Sequence, residues 1–546
     1  MDTVSESGFK LSGLSSKLTT IGSLYRNRRK PRSQSININP TNAIESDLSI
    51  DGAMFFLSYS NGLCGNLSFS KKSILFKFGK GFDESQFDGS RPDELNTPRC
   101  PLKEVDSFKN CYEIDFLNIG NVYTDLSNEH HTVMIFCRDF RHVKILMRQC
   151  EAATLIIDRI KRINFDNISQ INREARAAIW EYMFNNYQYV KVSDWQKHEH
   201  WVMPQNVKID FSHFNDVGHC STLPEVVIVP RNVNDTILNR FISISNGNRI
   251  PVISYLHRPS GNVIIRSTTI NDNSFQDLFG KHIIYPIREL AIDLMMQELG
   301  DIDRFYGKLR KYSFNAAKSC DGSLTSFYDY EHSKQFWSKC GPWLVSLAKV
   351  LKVTASLVKM VSHEASIALI ETFDSRWNCV LSSLVQLIVD PYRRTIEGFE
   401  SLISKEWVFL QGYKSRIAHS KFRIIRQPDT TLFVLFLDVV HQLIIQNPHH
   451  FQFTSIYLIL LMDLQFMTEN YRRDNSNQFE LDKQHILHYN PFYRNDKGVE
   501  QPRIIEQVSQ MKFFYALYFR HIKSDILKHT PEERIFINQL HNSSLI

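Results

Sequence analysis

Apolar positions along this chain change their period near residue 170, and the change divides it. From about 50 to 146 short apolar runs alternate with turn residues, and Gly52–Ser60, Gly65–Phe78, Glu113–Tyr123 and His131–Leu146 read as strands of a small β domain. A helix over about 147–163 would close it. Beyond a helical connector at 173–187, helices alternate with apolar strands at Leu223–Pro230, Arg249–His257 and Gly261–Ser267, an α/β pattern. After about 335 helices dominate, at 343–361, 379–389, 395–410, 431–446 and 453–468. No internal repeat or long coiled coil interrupts this order. The expected fold class is α+β multidomain: a small β-barrel or sandwich with a closing helix, then an α/β domain with many helices.

Length supports that division, because 546 residues exceed one ordinary core and 43% apolar content can fill two. The expected boundaries are a disordered basic tail at 1–44, the small domain at 45–165, a linker at 166–200, the larger domain at 201–535 and a C-terminal tail at 536–546. The tail at 1–44 holds seven Lys/Arg against two Asp/Glu, which accounts for most of the net charge of +6. The remainder is nearly neutral, which argues against a nucleic-acid partner, since such a domain needs clustered cations to displace counterions from phosphates. The first residues lack a signal-peptide core, and the most apolar stretches, 431–445 and 455–467, are interrupted by Asp438 and Asp463. A cytoplasmic protein is expected. Its nine cysteines show no C-x-x-C pair and no Cys/His spacing of zinc type, so no disulfide framework, metal or cofactor is expected.

Several segments, in order, resemble the motifs of one known family. Gly65–Phe76 is similar to the G-T-hydrophobic-x-x-T-N signature of its PH-GRAM domain, and Ile135–Arg141 to the later V-C-K-D-F/M-R strand. Leu223–Pro230 followed by Asn248–His257 resembles Y-P-x-x-hydrophobic-V-V-P and G-R-I-P-V-L-S-W-x-H. Leu384–Trp407 is similar, without a gap, to S-L-A-Q-L-L-L-D-P-Y-Y-R-T-I-x-G-F-x-x-L-I-E-K-E-W. Phe436–Leu443 through Phe453 resembles F-L-D-x-x-x-Q-L followed by P-x-x-F-x-F. These segments together resemble the myotubularin family of phosphoinositide 3-phosphatases, and the resemblance spans roughly 50–530. It implies a PH-GRAM domain followed by a cysteine-phosphatase-like domain.

Active members of that family carry H-C-S-D-G-W-D-R-T before the helix that begins S-L-A-Q-L. The Cys thiolate attacks phosphorus, the loop N–H groups and the Arg hold the phosphoryl oxygens, and an Asp protonates the leaving oxygen. Counted back from Asp390-Pro391, the nucleophile's place is held by Glu371 and the arginine's by Trp377. The loop reads Glu371, Thr372, Phe373, Asp374, Ser375, Arg376, Trp377. A carboxylate there repels phosphate, and an indole cannot form a bidentate clamp. No cysteine in the chain has an arginine six positions later, and Cys379, the nearest thiol, falls on the helix. The A-R-P-x-x-N-A stretch of many active members has no match between about 285 and 335. The chain thus most resembles the inactive group containing the 3-phosphatase adapter subunit.

The resemblance implies a pseudophosphatase that joins an active myotubularin-family phosphatase in a heteromer. Two other readings compete. One is a phosphatase with a displaced mechanism, using Asp374 as acid and Arg376 as clamp, although solvated loop residues, or a pair between the two, are the simpler reading. The other is a partner-independent lipid-binding scaffold. Lys71, Lys72, Lys77 and Lys80 lie on the expected PH-GRAM strands, where alternation would turn some toward a phosphoinositide membrane surface; edge-strand lysines that keep the sheet soluble fit equally. Peripheral placement on endosomal or other intracellular membranes follows from that reading. Gly79-Lys-Gly81 lacks a third glycine, the His130–His131 and His449–His450 pairs diverge on a strand or helix, and His257, Arg258 and His363 have no triad partner.

Overall fold

Seven strands form one antiparallel sheet: β1 (Ser49–Leu57), β2 (Leu63–Phe69), β3 (Ser73–Phe78), β4 (Cys111–Asp115), β5 (Ile119–Leu126), β6 (His131–Cys137) and β7 (His142–Met147). The computed structural model describes residues 49–57, 63–69, 73–78, 111–115, 118–126, 131–140, 142–147, alternate positions from 154 to 160, 178–199, 209–270 apart from 217 and 221, 286–319, 333–411 apart from 375, 430–466, and 488–519 apart from 491 and 495–499. The tails expected at 1–44 and 536–546 lie outside these residues, as do Lys71, Lys72, Lys80 and Ser375; Lys77 lies on β3.

The strand order is β4-β3-β2-β1-β7-β6-β5, so the first strand pairs with the last. Period-two alternation directs one face inward: along β7, Val143 and Ile145 are buried and Lys144 is exposed. Ile156 and Ile160, one helical turn apart, pack with Leu67, Phe76 and Ile135 in this core. At the β6–β7 turn, Asn118 holds Asp139 through its amide (2.7 Å) and accepts from the Arg138 N–H (3.1 Å). Phe140, at φ 67°, leaves this sheet and sets its ring edge against Tyr306 and Tyr518 of the larger core.

The larger core is mixed. A ribbon of β8 (Ile209–Ser212) and β9 (Val227–Pro230) accompanies a four-stranded sheet of β10 (Val252–Leu256), β11 (Val263–Thr268), β12 (Ile287–Ala291) and β13 (Ser366–Glu371), in the order β10-β11-β13-β12. β13 runs parallel to both neighbours, and its near-continuous apolar run is that of a strand covered on both faces.

Nine helices of eight residues or more surround these strands among the described residues: α1 (Ala178–Asn186), α2 (Val192–Glu199), α3 (Asp235–Ile244), α4 (Ile302–Ser319), α5 (Lys334–Lys359), α6 (Trp377–Val389), α7 (Ile396–Ile403), α8 (Thr430–Gln446) and α9 (Ser455–Phe466). α1 and α2 fall in the stretch expected as a linker, yet Trp180, Met183 and Trp195 are fully buried, so 178–199 belongs to this core. Short amphipathic helices beside an aromatic-rich run looked like a connector because their partners lie two hundred residues away.

α6 is buried on all sides; its apolar residues fill the core, and its polar ones, such as Asn378 and Gln386, are hydrogen-bonded there. Behind it the segment that carries the strongest resemblance works as scaffold. Asp390 caps Tyr392, Arg393 pairs with Glu199 (2.5 Å), and Lys405 meets the same carboxylate at 3.0 Å. A side chain at Gly398 would collide with the Tyr392 carbonyl, so only glycine fits there. Among the described residues no helix is long and apolar enough to cross a membrane.

Candidate functional site: an occupied cradle at the end of β13

Parallel strands leave a crevice outside their carboxyl ends, and β13 runs into it with Glu371 as its last residue. α6 starts six residues later, so its first N–H groups point back at the strand end. In a phosphatase loop those donors would hold phosphoryl oxygens. Here the chain supplies its own anion: Glu371 Oε1 accepts from the Trp377 N–H (2.9 Å), and Oε2 accepts from Arg376 (3.0 Å) and Asn378 (3.2 Å). Glu371 is 3% exposed. Burial pushes its carboxyl above the usual range, while the Trp377, Arg376 and Asn378 N–H groups pull the other way.

Next along the loop, Thr372 gives its N–H (2.7 Å) and hydroxyl (2.6 Å) to Asp293, beyond the end of β12. Phe373 projects outward, 59% exposed. Asp374 adopts φ 45° and turns under the loop. Its two oxygens meet Arg249 (2.6 Å) and Arg266 (2.9 Å), and the Asn378 amide reaches it at 2.7 Å. Burial pushes the Asp374 carboxyl up, but the Arg266 and Arg249 guanidiniums outweigh that and hold it below the ordinary value. Arg266 also grips Glu406 (2.9 Å), and Arg249 donates to the Leu410 and Thr222 carbonyls.

Neither residue of the displaced mechanism is placed to act. Asp374 is neither solvated nor paired with Arg376; it is the centre of a buried ion cluster, because its left-handed backbone directs it away from the loop mouth. Arg376 reaches sideways to Asp303 (3.2 Å). Trp377 is buried at the start of α6. Cys379 is buried, its thiol pushed well above its ordinary pKa by burial, with Sγ bonded to the Arg376 carbonyl and the Gln411 amide. A carboxylate can itself attack phosphorus, but both Glu371 oxygens are engaged by N–H donors, and the two nearby buried arginines face Asp374.

Arg249, Arg266 and Asp293 were not singled out from the sequence. Arg266 did leave a signal: a lone cation inside the apolar run Val263–Thr268 demands a buried partner. Of the lysines considered for lipid contact, only Lys77 falls on a described strand, paired with Cys111 in register.

A family model described as the myotubularin-like phosphatase domain matches residues 166–274 and 303–472, more than half of the chain. Myotubularin-related protein 10-A of Xenopus laevis is 30% identical over 256 residues, 44% of this chain and 31% of the relative. Myotubularin-related protein 9 of Mus musculus is 24% identical over 372 residues, 61% of this chain and 66% of the relative. Myotubularin-related protein 12 of Homo sapiens is 30% identical over 444 residues, 74% of this chain and 56% of the relative. The chain therefore spans about a third to two thirds of the length of these relatives. With the match running through β13, the loop and the helices behind it, the chain belongs to the family that shares the myotubularin-like phosphatase domain.

Proposed function

We propose that this chain is a catalytically inactive member of its family, a pseudophosphatase that serves as adaptor or regulatory subunit of an active phosphoinositide 3-phosphatase. The observation that carries this reading is Glu371, which stands at the nucleophile's position and occupies the anion-binding N–H groups with its own carboxylate. Catalysis by this class needs a thiolate, an open cradle and a guanidinium on the phosphoryl group. The loop substitutes a carboxylate, a filled cradle and an indole.

What the chain keeps points to binding. The buried ion cluster around Asp374 and the Glu199–Arg393–Lys405 group preserve the loop and its scaffold in detail without serving a reaction. The seven-stranded sheet with Ile156 and Ile160 packed on it supports the assignment of a PH-GRAM domain, and with it weak phosphoinositide contact and peripheral placement on intracellular membranes from the cytoplasm.

The test is turnover by the purified chain of phosphatidylinositol 3-phosphate and the 3,5-bisphosphate. No phosphate release above a buffer blank is expected. Release that disappears on changing Asp374 or Arg376 would instead establish the displaced mechanism.

A further inference from the structure

At the opposite end of β13 from Glu371, about 20 Å away by the rise of the strand, lies a cleft of about 230 Å³ lined by none of the loop residues. α5 forms one wall and runs on into a π-helical turn, Met360–Glu364, which places Ser362 and His363 beside Lys359. Residues 501–504 form the other wall, and amide side chains of α8 fix that segment. Asn447 accepts from the Arg503 N–H and donates to its carbonyl (both 2.8 Å), and Gln446 does the same to Ile505 (2.9 and 3.2 Å). Both walls are therefore in place before any ligand arrives.

The lining divides by chemistry. Ala355, Val358, Pro502 and Ile504 make an apolar floor, around which stand Lys359, Ser362, His363 and Gln501. All four polar side chains can donate a hydrogen bond. Ser362, His363 and Gln501 make no side-chain hydrogen bond to another described residue. Lys359 meets Glu364 at only 3.5 Å, and the other oxygen of that carboxylate is held by Arg288 at 3.3 Å, so the ammonium is free to turn inward. The last carbonyls of a helix ordinarily repel an anion, but here they are occupied. Met360 O accepts from the Ala365 N–H (2.9 Å), and Val361 O from the Ser260 hydroxyl (2.8 Å) and the Asn262 amide (2.9 Å).

We propose that this cleft binds a small monocarboxylate with an apolar body of about six carbons. Size bounds the ligand on both sides, since drug-sized molecules need about 300 Å³ or more and about 150 Å³ already takes a benzene ring. The volume beyond that ring fits one carboxylate. Charge sets the class: one ammonium with neutral donors matches a single negative charge, whereas a phosphate dianion calls for a guanidinium fork, which the lining lacks. A cationic ligand would face Lys359 and find no carboxylate in the lining. The bound molecule joins α5 to residues 501–504, so it stabilises the folded chain. The inference is independent of the reading of the phosphatase loop.

Benzoate titrated into the full-length chain, followed by saturation-transfer NMR, tests this, with benzamide as the uncharged isostere and inorganic phosphate as the bare anion. Benzoate should bind saturably with a dissociation constant of about 1 mM, the scale its few non-hydrogen atoms allow. Benzamide should bind about fivefold more weakly, and phosphate should not displace benzoate. Lys359→Met should weaken benzoate about fivefold, as loss of a solvent-exposed ion pair does. Ala355→Leu, which fills the floor from a partly exposed helix position, should abolish binding while the circular dichroism stays that of the wild type. No saturable signal up to about 20 mM, benzamide binding as tightly as benzoate, displacement by phosphate, or benzoate affinity unchanged in either variant would each overturn the proposal.

Discussion

Replacing Glu371 by alanine is the perturbation that the cradle geometry makes quantitative. The substitution leaves the Arg376, Trp377 and Asn378 N–H groups at the head of a buried helix without their acceptor. A hydrogen bond to a charged group contributes about 1.5–3 kcal/mol net, and loss of an ordinary helix cap costs about 1 kcal/mol. Release of the carboxylate's own burial penalty offsets part of this, since burial is the largest influence on its pKa. A net loss of about 3 kcal/mol follows, or roughly 6 °C in melting temperature at about 2 °C per kcal/mol for a large domain. Glu371→Gln, which keeps one acceptor oxygen and turns an amide NH2 group toward the other donors, should lose about half as much. Sulfate, as a substitute anion, should raise the melting temperature of the alanine variant more than that of the wild type; at ten times its dissociation constant the gain is about 1.4 kcal/mol. Comparison with the wild type in the same salt removes the general effect of sulfate on burial. Differential scanning calorimetry reads all three proteins with and without sulfate. A change within about 0.5 kcal/mol for Glu371→Ala, the range of ordinary surface substitutions, would refute the filled-cradle reasoning.

Asp374→Ala should destabilise the chain more, by about 3–5 kcal/mol in a urea titration, because it leaves Arg249 as a buried charge without its carboxylate and Arg266 with Glu406 alone. Acid stability should depend on His441, whose pKa burial lowers to about 3: its neutral form stabilises the fold fully above the ordinary histidine value, and that stability is lost as pH falls from 6.5 toward 3. Asp438 acts oppositely, since burial raises its carboxyl to about 6 and its contribution fades as pH rises from 4 to 6; Asp438→Asn should therefore steepen the acid loss seen in urea midpoints between pH 4 and 6. Glu371→Cys with Trp377→Arg should restore no measurable phosphate release, because Asp374 stays locked beneath the loop and placement errors near 1 Å cost about a hundredfold in rate.

Much of this was legible in the residues, and the exceptions have physical causes. Period-two runs placed the first sheet, and the apolar helices of the second half announced themselves by length. Glu371 and Trp377 were found by counting along a gap-free segment. The destination of their side chains was not, because a carboxylate that repels an incoming phosphate and one that replaces it are the same letter. Asp374 read as solvated because an acid in a loop usually is; its partners, Arg266 on β11 and Arg249 just before β10, lie more than a hundred residues upstream. β12, with four partly or fully exposed positions in five, lacks the apolar run that reveals a buried strand. Only its edge position in the sheet, fixed by pairing with β13, makes it a strand.

The proposed role as a regulatory subunit rests finally on a partner. Light scattering on size-exclusion peaks of the full chain, co-expressed with an active family member, tests it most directly. The expected result is a single species with the summed mass of the two chains, all phosphate release belonging to the active subunit. Two separate peaks beside every active member tried would contradict it.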